Sequence, residues 1–543
     1  MPATYTYPGI YVEEVPSGVH PIVGASTSDT AFVDYFAQGP AGVATRVTSL
    51  AQFTTVFGLV DQASEASYAV ASYFLNGGQV AWIVRVVPGF DPAAPDEDML
   101  ATIELVQGSP GTGALVVQAA SPGAWGSQVE VAATETVPAE PDSFNLFVRQ
   151  VVTTGSDSRI VASEVYRGLG VTPGSANDAV AVVNAGSALI RLSAPGGGSA
   201  AIPNLSTPTS SGDPLDTAWR ALATPTTLPD VIDGTSLEAT DDFVSALTAA
   251  VTPGSSPLDH VDPFHINLLC VPATSRVDHG TRKSLMDAVV AYAVTRRAFA
   301  ILDPPPSTEV GTTDKMRTWL LGSEAPAASP NGAVYYPRIS INDPLAGGRP
   351  RELGPSGMMA GVYARTDASR GTWKAPAGID ATLAGATLVS ALADSDSAVL
   401  NPLGINALRT LPVIGNVAWG ARTLVGADQR ASEWKYVPIR RMALYIENSL
   451  VDGLNWVVFE PNDEPLWAQI RLNVGSFMQN LFRQGAFQGT TPKDAYLVQC
   501  DSTTTTQGDI DRGVVNILVG FAPLYPAEFV VIRIQQLAGQ SQS

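Results

Sequence analysis

The stretch Asp278-His279-Gly280-Thr281 has residue types that could take part in nucleophilic catalysis. A histidine in this setting could act as general base for a serine nucleophile. The one Gly-Thr-Ser sequence, at residues 234–236, precedes the histidine, whereas a protease with this kind of histidine motif has its serine later in the chain. We therefore predict no peptidase activity. We expect His279 to lie in a loop and to cap a helix that begins near Arg282.

The other candidates for chemistry have simpler interpretations. The remaining histidines are His20, His260 and His265. They are scattered, and no metal-ligand spacing joins them to a cysteine. Cys270 and Cys500 lie in apolar, strand-like runs, which predicts buried thiols. The glycine run at 196–198 lacks the strand, the lysine and the helix of a phosphate loop. We predict no catalytic residue, no metal and no cofactor.

Charge and composition narrow the class of protein further. The chain has 543 residues, and 51 acidic residues against 31 basic ones give a net charge of −20. Such a charge disfavours non-specific binding of nucleic acid, whose phosphates it repels. An apolar fraction of 45% indicates a globular protein, and the length predicts two to four domains. The sequence shows no signal peptide and no apolar run of about 20 residues, so we expect synthesis and folding in the cytoplasm, without membrane insertion.

The elements that must position any functional residue are clearest between Asn401 and Gln536. Asp463, Glu464 and Pro465 form a helix-start signal. The apolar positions that follow at three- and four-residue steps are Trp467, Ile470, Val474, Phe477, Met478 and Leu481. They predict one buried helix face, ended by Gly485. An earlier apolar stripe is formed by Met442, Ile446 and Leu450, and it leaves Arg440, Arg441, Glu447 and Asn448 to face elsewhere.

Both ends of the chain carry strand-like sequences. Ile10–Val15 has no local hairpin partner, and Phe529–Ile534 is followed only by a polar tail. We predict that the chain ends in an antiparallel pair, Gly513–Phe521 with Glu528–Ile534, after a strand at Ala495–Cys500. An unpaired strand presents free backbone donors and acceptors, so each end must be covered or used.

The rest of the chain predicts an α/β protein with a β-rich insertion. In the N-terminal part we expect strands at Thr30–Phe36 and Val80–Val87 and helices at Leu50–Phe57 and Glu65–Leu75. The β-rich strands are predicted at Ile103–Gln107, Ala114–Gln118, Gln128–Ala132 and Phe144–Val151, with a helix near Asn177–Asn184. Residues 193–230 are predicted to be a linker or a long surface loop. Alternating helices and strands then predict a parallel sheet, with helices at Asp241–Val251 and Arg282–Arg296 and strands at Ile266–Pro272, Ala298–Leu302 and Val334–Ile339.

Many short matches, in the same order, resemble the contractile tail sheath family, whose members form the sheath of phage tails, R-type bacteriocins and extracellular injection particles. They are Tyr7–Val15, Tyr73–Gly78, Trp82–Val86, Gly354–Gly357, Ala360–Asp367, Trp373–Ala377, Asn401–Arg409, Trp419–Leu424, Trp434–Val437, Tyr445–Glu447, Phe459–Asn462 and Pro526–Phe529. The resemblance covers residues 8–90 and 230–536, whereas residues 91–230 match only loosely.

The resemblance implies an α/β fold made of four segments. Residues 1–90 would form an N-terminal arm and part of an α+β inner domain, which residues 395–543 complete with a terminal linker strand. Residues 91–230 would be an inserted β-rich outer subdomain, and residues 231–394 an α/β subdomain of subtilisin-like topology. The implied function is that of a structural subunit that polymerises helically around an inner tube and contracts to drive the tube through a target envelope.

The resemblance also implies partners and contact residues. The expected partners are further copies of the chain, the inner tube protein, and baseplate and terminator or cap proteins of a phage tail or tail-like particle that lysis releases from a bacterium. Strand exchange between subunits is expected at Ile10, Tyr11, Val12, Glu13, Glu14 and Val15, and at Phe529, Val530, Val531, Ile532, Arg533 and Ile534. Contact with the tube is expected at Arg440, Arg441, Glu447 and Asn448, because exposed arginines in an acidic chain suit an acidic partner.

Two alternatives remain open at this point. One is a divergent or inactive subtilisin-like protease with accessory β domains. The other is a non-contractile tail or baseplate component. Tubes with a regular helical rise would favour the sheath, whereas monomers with peptidase activity would favour the protease.

Overall fold

The structure is a computed structural model that describes residues 20–91, 97–108, 112–140, 142–154, 157–209, 213–225, 241–262, 264–529 and 531. The chain divides into two compact units. The larger unit is Ser26–Arg441, and the smaller one combines Met1–Ala25 with Met442–Ser543.

The larger unit contains 18 strands and nine helices among its described residues. The strands are β1 (Thr30–Asp34), β2 (Thr45–Val47), β3 (Ala81–Arg85), β4 (Thr102–Gln107), β5 (Thr112–Ala119), β6 (Val129–Glu135), β7 (Phe144–Thr154), β8 (Asp157–Leu169), β9 (Ile190–Ser193), β10 (Arg220–Ala221), β11 (Leu268–Cys270), β12 (Phe299–Leu302), β13 (Gly332–Tyr336), β14 (Ile339–Asp343), β15 (Arg349–Leu353), β16 (Thr387–Leu388), β17 (Asn406–Leu411) and β18 (Gly415–Ala418). The helices are α1 (Leu50–Phe57), α2 (Glu65–Leu75), α3 (Ala179–Gly186), α4 (Asp241–Ala250), α5 (His279–Thr295), α6 (Ser307–Val310), α7 (Thr313–Leu321), α8 (Ser356–Arg370) and α9 (Asp394–Leu400).

An eight-stranded sheet in the order β18-β17-β13-β12-β11-β1-β3-β2 forms the centre of this unit. The six inner strands are parallel, and β2 and β18 close the two edges in antiparallel fashion. Every residue of β1, β3, β11, β12 and β13 is buried, as expected of parallel strands covered on both faces. The predicted α/β fold, the buried strand near Val80–Val87 and the parallel sheet are therefore confirmed.

Helices cover both faces of this sheet. Ala31 and Val33 of β1 pack in one apolar cluster with residues of α4 and α5. On the other face Phe32 meets the ring of Tyr73 in α2, with 5.5 Å between ring centroids, and Phe299 meets Tyr363 in α8 at 6.3 Å. Alternate residues of each strand therefore enter two separate cores.

Glycines allow α2 and α8 to pack closely. A Cβ atom at Gly361 would lie 2.5 Å from the carbonyl oxygen of Tyr73, and one at Gly357 would collide with the backbone of Ala69. The two glycines are one helical turn apart, so they form a single groove for α2. This packing gives a physical reason for the glycines in the stretch Gly354–Asp367.

The sheet groups the segments of the chain differently from the predicted division. It joins strands from 30–85, from 268–336 and from 406–418, whereas the prediction assigned these to different domains. The pairing of Thr30 with both Ala81 and Leu268 links stretches that are far apart in sequence. Parallel pairing always needs such crossovers, and local patterns do not specify which distant strand is the neighbour.

Residues 101–222 have a hydrophobic core of their own, built by the sheets β4-β5-β9 and β10-β6-β7-β8. The 13-residue strand β8 was not predicted, because most of its residues are exposed or half-buried and it lacks a continuous apolar run. The predicted linker at 193–230 is wrong in its described part. Leu222 is buried in this core, and β10 pairs with β6.

The smaller unit is mainly helical. Its elements are α10 (Val437–Gly453), which begins in the larger unit, α11 (Glu464–Arg483), α12 (Pro492–Ala495), β19 (Tyr496–Gln499), α13 (Gln507–Asp511) and β20 (Leu518–Phe521). Asp463 caps α11 by accepting a hydrogen bond from the N–H of Leu466 at 3.3 Å, and Gly485 follows the helix with a φ of 78°. All six residues predicted for its apolar face are buried, so this prediction is confirmed.

The strands of the smaller unit pair otherwise than predicted. β19 and β20 form an antiparallel pair, with Tyr496 opposite Phe521 and Gln499 opposite Leu518. The expected strand Gly513–Phe521 is shortened to its last four residues, and α13 ends just before its start. Glu528 and Phe529 are not in a strand, and the rest of the predicted last strand, apart from Val531, lies outside the described residues.

Candidate functional site

The carboxyl ends of the parallel strands are where an open α/β sheet normally holds a ligand. Here they hold buried, mutually paired charges. Asp34, at the end of β1, lies 2.7 Å from the guanidinium of Arg276 and accepts a hydrogen bond from the N–H of Ala66 in the first turn of α2. Asp303, directly after β12, accepts from both the N–H and the hydroxyl of Ser356, at 2.7 and 2.6 Å. Burial raises the pKa of Asp34 and of Asp303 to about 6.

Neighbouring residues complete this closure. Arg338 is 3% exposed and forms ion pairs with Glu352 at 2.7 Å and with Glu65 at 3.7 Å. Cys270, at the end of β11, is fully buried, and burial raises the pKa of its thiol well above the ordinary value. A protonated thiol is a poor nucleophile. The position of a typical α/β active site is therefore filled by structural ion pairs and hydrogen bonds.

The histidine motif starts a helix. Asp278 is the N-terminal cap of α5 and accepts hydrogen bonds from the N–H groups of Gly280 and Thr281 at 3.1 and 3.3 Å. The prediction of a loop histidine that caps the helix is wrong in detail, because Asp278 is the cap and His279 is the first helical residue. An aspartate is the stronger capping residue at such a position. The suggested nucleophile Ser236 lies outside the described residues.

Arg441 differs most from its predicted setting. Its guanidinium binds both carboxylate oxygens of Asp367, at 2.9 and 2.6 Å, and the two side chains are only 3% and 4% exposed. It also donates to the carbonyl of Thr27 and lies over the ring of Tyr363. The expectation that Arg441 is exposed is therefore wrong. Its position off the apolar stripe of α10 left it available to a second packing surface, made by α8.

The other predicted tube contacts differ in burial. Asn448 is 1% exposed, so it does not present its amide at the surface, contrary to expectation. Arg440 is half-buried; its Nε donates to the side-chain oxygen of Asn331 at 3.0 Å, and its guanidinium lies over the ring of Trp434. Glu447 is half-buried as well. Arg440 and Glu447 thus retain some accessible surface, and their role at a tube remains a prediction.

The described end of the N-terminal arm packs within the smaller unit. The N–H of Ala25 donates to the hydroxyl of Ser449 at 3.0 Å, and Gly24 lies too close to Tyr445 for any side chain. His20 stacks on Trp456, with 4.5 Å between ring centroids. The predicted exchange residues Ile10–Val15, Val530 and Ile532–Ile534 lie outside the described residues. Phe529 and Val531 are described, and they are 75% and 78% exposed.

The strand pair β19–β20 is the most open β structure of this unit. It has two strands, so within the described residues each strand has one outer edge without a ladder partner. Leu497 and Leu518 lie on the same face and are each 50% exposed. On the opposite face Tyr496 donates its hydroxyl to Gln479 of α11. One face thus packs on a helix, while the other face and both edges are accessible.

Two searches of the described residues gave no further site. None of the described helices combines the length and the apolar character needed to cross a membrane. Within the same residues, no three His, Cys, Asp or Glu side chains are grouped so that they could hold a metal ion.

Comparison with known proteins adds the decisive observation. Residues 429–536 match the family model of the phage tail sheath C-terminal domain. This part of the chain is a phage tail sheath C-terminal domain. A 261-residue stretch is also 24% identical to a prophage major tail sheath protein of Pseudomonas aeruginosa and covers 47% of this chain and 62% of that protein. A second stretch of 205 residues is 24% identical to the tail sheath protein of Vibrio phage KVP40 and covers 37% of this chain and 28% of that protein.

A solved structure extends the likeness to nearly the whole chain. The helical sheath of the anti-feeding prophage in its contracted state is similar with a TM-score of 0.55 and 22% identity, over 98% of this chain and all of the other. The chain therefore has the fold of a contractile sheath protein. The predicted resemblance to this family is confirmed, and the protease alternative has no support from these relatives.

The sequence analysis missed the buried carboxylates of the sheet, Asp34 and Asp303. Each sits at the end of an apolar strand, and this position was the available signal. It also missed the pair of Asp367 with Arg441, for which the sequence carries no local signal because the partners are 74 residues apart.

Proposed function

We propose that this chain is the structural subunit of a contractile sheath, which polymerises helically around an inner tube and contracts to drive the tube through a target envelope. The observation that carries the proposal is the sheath fold over 98% of the chain, together with a phage tail sheath C-terminal domain at 429–536. The chain spans 62% and 28% of the two curated relatives, so activity and partners are inferred for it rather than transferred.

The subunits are joined, in this proposal, by strand exchange at β19–β20. Its free edges can accept the strand-like segments Ile10–Val15 and Phe529–Ile534 of neighbouring copies. Backbone hydrogen bonds would provide the affinity, and the half-exposed Leu497 and Leu518 would be covered. A ladder of several backbone hydrogen bonds resists pulling along the strand, so the lattice stays connected while the subunit bodies rotate. The work of contraction comes from new contacts between subunits that replace old ones at lower free energy.

The protein acts without catalysis in this proposal, and its partners are other copies, an inner tube protein, a baseplate and a tail terminator. Arg440 and Glu447 are the residues proposed to face the tube. The particle is a phage tail or tail-like device, assembled in the cytoplasm of the producing bacterium and released by lysis.

The test is co-expression of the chain with its tube protein, followed by electron microscopy of the purified particles. We expect tubes with a regular helical rise that shorten and widen on brief treatment with acid or denaturant. A double variant, Arg440→Glu with Glu447→Lys, should keep the ability to form sheath but lose tubes from its lumen. Monodisperse monomers that cleave a general peptide substrate would overturn the proposal.

A further inference from the structure

A cleft of about 420 Å³ opens between the last turns of α8 and the loop that follows this helix, within the larger unit. The loop contains the stretch Trp373–Ala377, which resembles sheath proteins and to which no role has been given above. Arg365, Ser369 and Arg370 line the cleft from the helix. Lys374, Asp380 and three alanines line it from the loop.

The cleft is cationic in a strongly acidic protein. It has three basic side chains and one carboxylate, that of Asp380. Asp380 forms an exposed ion pair with Arg370 at 3.4 Å. Within the described part of the chain, no ion pair joins Arg365 or Lys374 to a carboxylate. The positive charge of the cleft is thus only partly neutralised by its own residues.

Backbone carbonyls hold the two deeper cations in place. Arg365 donates to the carbonyl oxygens of Asn76 and Thr382 at 3.2 and 2.7 Å. Lys374 donates to those of Ala375 and Ala377 at 2.9 and 3.1 Å. These contacts use two of the three N–H donors of the lysine ammonium, which leaves one for a ligand. Burial lowers the pKa of Lys374 and that of Arg365. Neutral carbonyls therefore compensate only part of the lost hydration, and an anion would compensate more.

The walls of the cleft are preorganised. Gly77 has a φ of 109°, and a Cβ atom there would lie 2.7 Å from the Cβ of Arg365, so the helix and the loop after α2 are in close contact. Gly371 ends α8 with a φ of 86° and packs against the ring of Trp373. Cations that are already held in position lose little conformational entropy when a ligand binds.

We propose that this cleft binds carboxylate side chains of an acidic segment on a second copy of the chain. The proposal rests on the proposed sheath function, because it assigns the cleft to the contact between subunits. Charge complementarity identifies the occupant. With 51 acidic and 31 basic residues, a second copy presents mainly carboxylates, and subunits of net charge −20 repel each other unless such contacts form. The alanine lining suits the methylene groups of a glutamate or an aspartate.

The first test measures binding directly on the full-length chain, with a synthetic hexaglutamate peptide as the probe and Trp373 fluorescence or calorimetry as the readout. The variant Arg370→Glu with Lys374→Glu should bind the peptide at least about tenfold more weakly than the wild type. The matched control is Lys315→Glu with Arg317→Glu on α7, which makes the same charge change on exposed residues and should bind as the wild type does. Inorganic phosphate is titrated in parallel. Wild-type chain that binds phosphate but not the peptide, or neither, would overturn the proposal.

The second test follows assembly. At about 150 mM salt the cleft variant should form at least tenfold less sheath than the control variant, by sedimentation and electron microscopy, with unchanged circular dichroism of the monomer. Normal sheath formation by the cleft variant would overturn the subunit contact and leave the sheath function standing. Failure of the wild type to form sheath would contradict the sheath function, and the peptide measurement would still decide whether the cleft binds carboxylates.

Discussion

The eight-stranded sheet of the larger unit and the β19–β20 pair of the smaller unit treat their edges and faces in opposite ways. The large sheet has six buried parallel strands, helices on both faces and an antiparallel strand at each edge. The small pair packs one face on α11 and leaves two half-exposed leucines on the other. A sheet that is covered everywhere can be stable within one chain, whereas an open pair gains most by accepting strands from elsewhere.

The same contrast holds for charged groups. In the larger unit, charges such as those of Asp303 and Arg441 are deeply buried and paired, which makes the structure around them specific and intolerant of change. The described strands β19 and β20 contain no charged residue. We infer that the larger unit moves as a rigid body in the sheath, while the strand pair is the connection between bodies.

The largest expected effect comes from removing the partner strand. Deletion of residues 1–16 should leave a folded, soluble chain but abolish long sheaths, because the open edges then lack a strand to accept. Electron microscopy and circular dichroism measure the two properties. Deletion of residues 537–543 is the control and should leave assembly intact. Tubes of normal length from the 1–16 deletion would show that the open pair is not completed in this way.

Breaking the buried ion pair should have the next largest effect. Arg441→Met leaves the carboxylate of Asp367 buried without its partner, so we expect a loss of about 3–5 kcal/mol in the free energy of unfolding, measured by urea denaturation. The neighbouring Arg440→Met is the control and should cost less than about 1 kcal/mol, since this arginine is only half-buried. Combining Arg441→Met with Asp367→Leu should restore much of the loss. Equal effects of the two single variants would contradict the difference in burial.

A smaller effect is expected in the pH dependence of stability. The pKa of Asp303 is about 6 in the folded chain, against an ordinary value of 3.8, so the folded state binds this proton more tightly. Its contribution to stability is fully present below pH 4 and is lost as the pH rises through 6. Asp303→Asn should therefore reduce the fall in unfolding free energy between pH 4 and pH 7 by about 2 kcal/mol. The exposed Asp314→Asn is the control. An unchanged slope in Asp303→Asn would contradict the raised pKa.

The smallest effect is expected at the histidine motif. His279→Ala should change the free energy of unfolding by less than about 0.5 kcal/mol and leave sheath formation unchanged, because Asp278 provides the helix cap. Asp278→Ala, the comparison variant, should cost about 1 kcal/mol. Cleavage of a general peptide substrate by the wild type, absent in His279→Ala, would contradict a purely structural role.

The sequence by itself determined the local features of this protein. The spacing of apolar residues predicted the buried face of α11, and Asp463 and Gly485 marked its two ends, because helix periodicity and capping depend on residues within a few turns. The continuous apolar run near Val80–Val87 likewise predicted a strand covered on both faces. The ordered family motifs pointed to a sheath protein.

Only the tertiary structure decided which distant segments meet. The pairing of β1 with β11, the burial of Arg441 against Asp367 and the inclusion of Leu222 in the β-rich core all join residues that are far apart in sequence. An amphipathic pattern shows that a helix has a buried side, but it does not show how many other surfaces will cover the rest. Arg441 lies off the apolar stripe of α10, and it is buried because α8 supplies a carboxylate at that place.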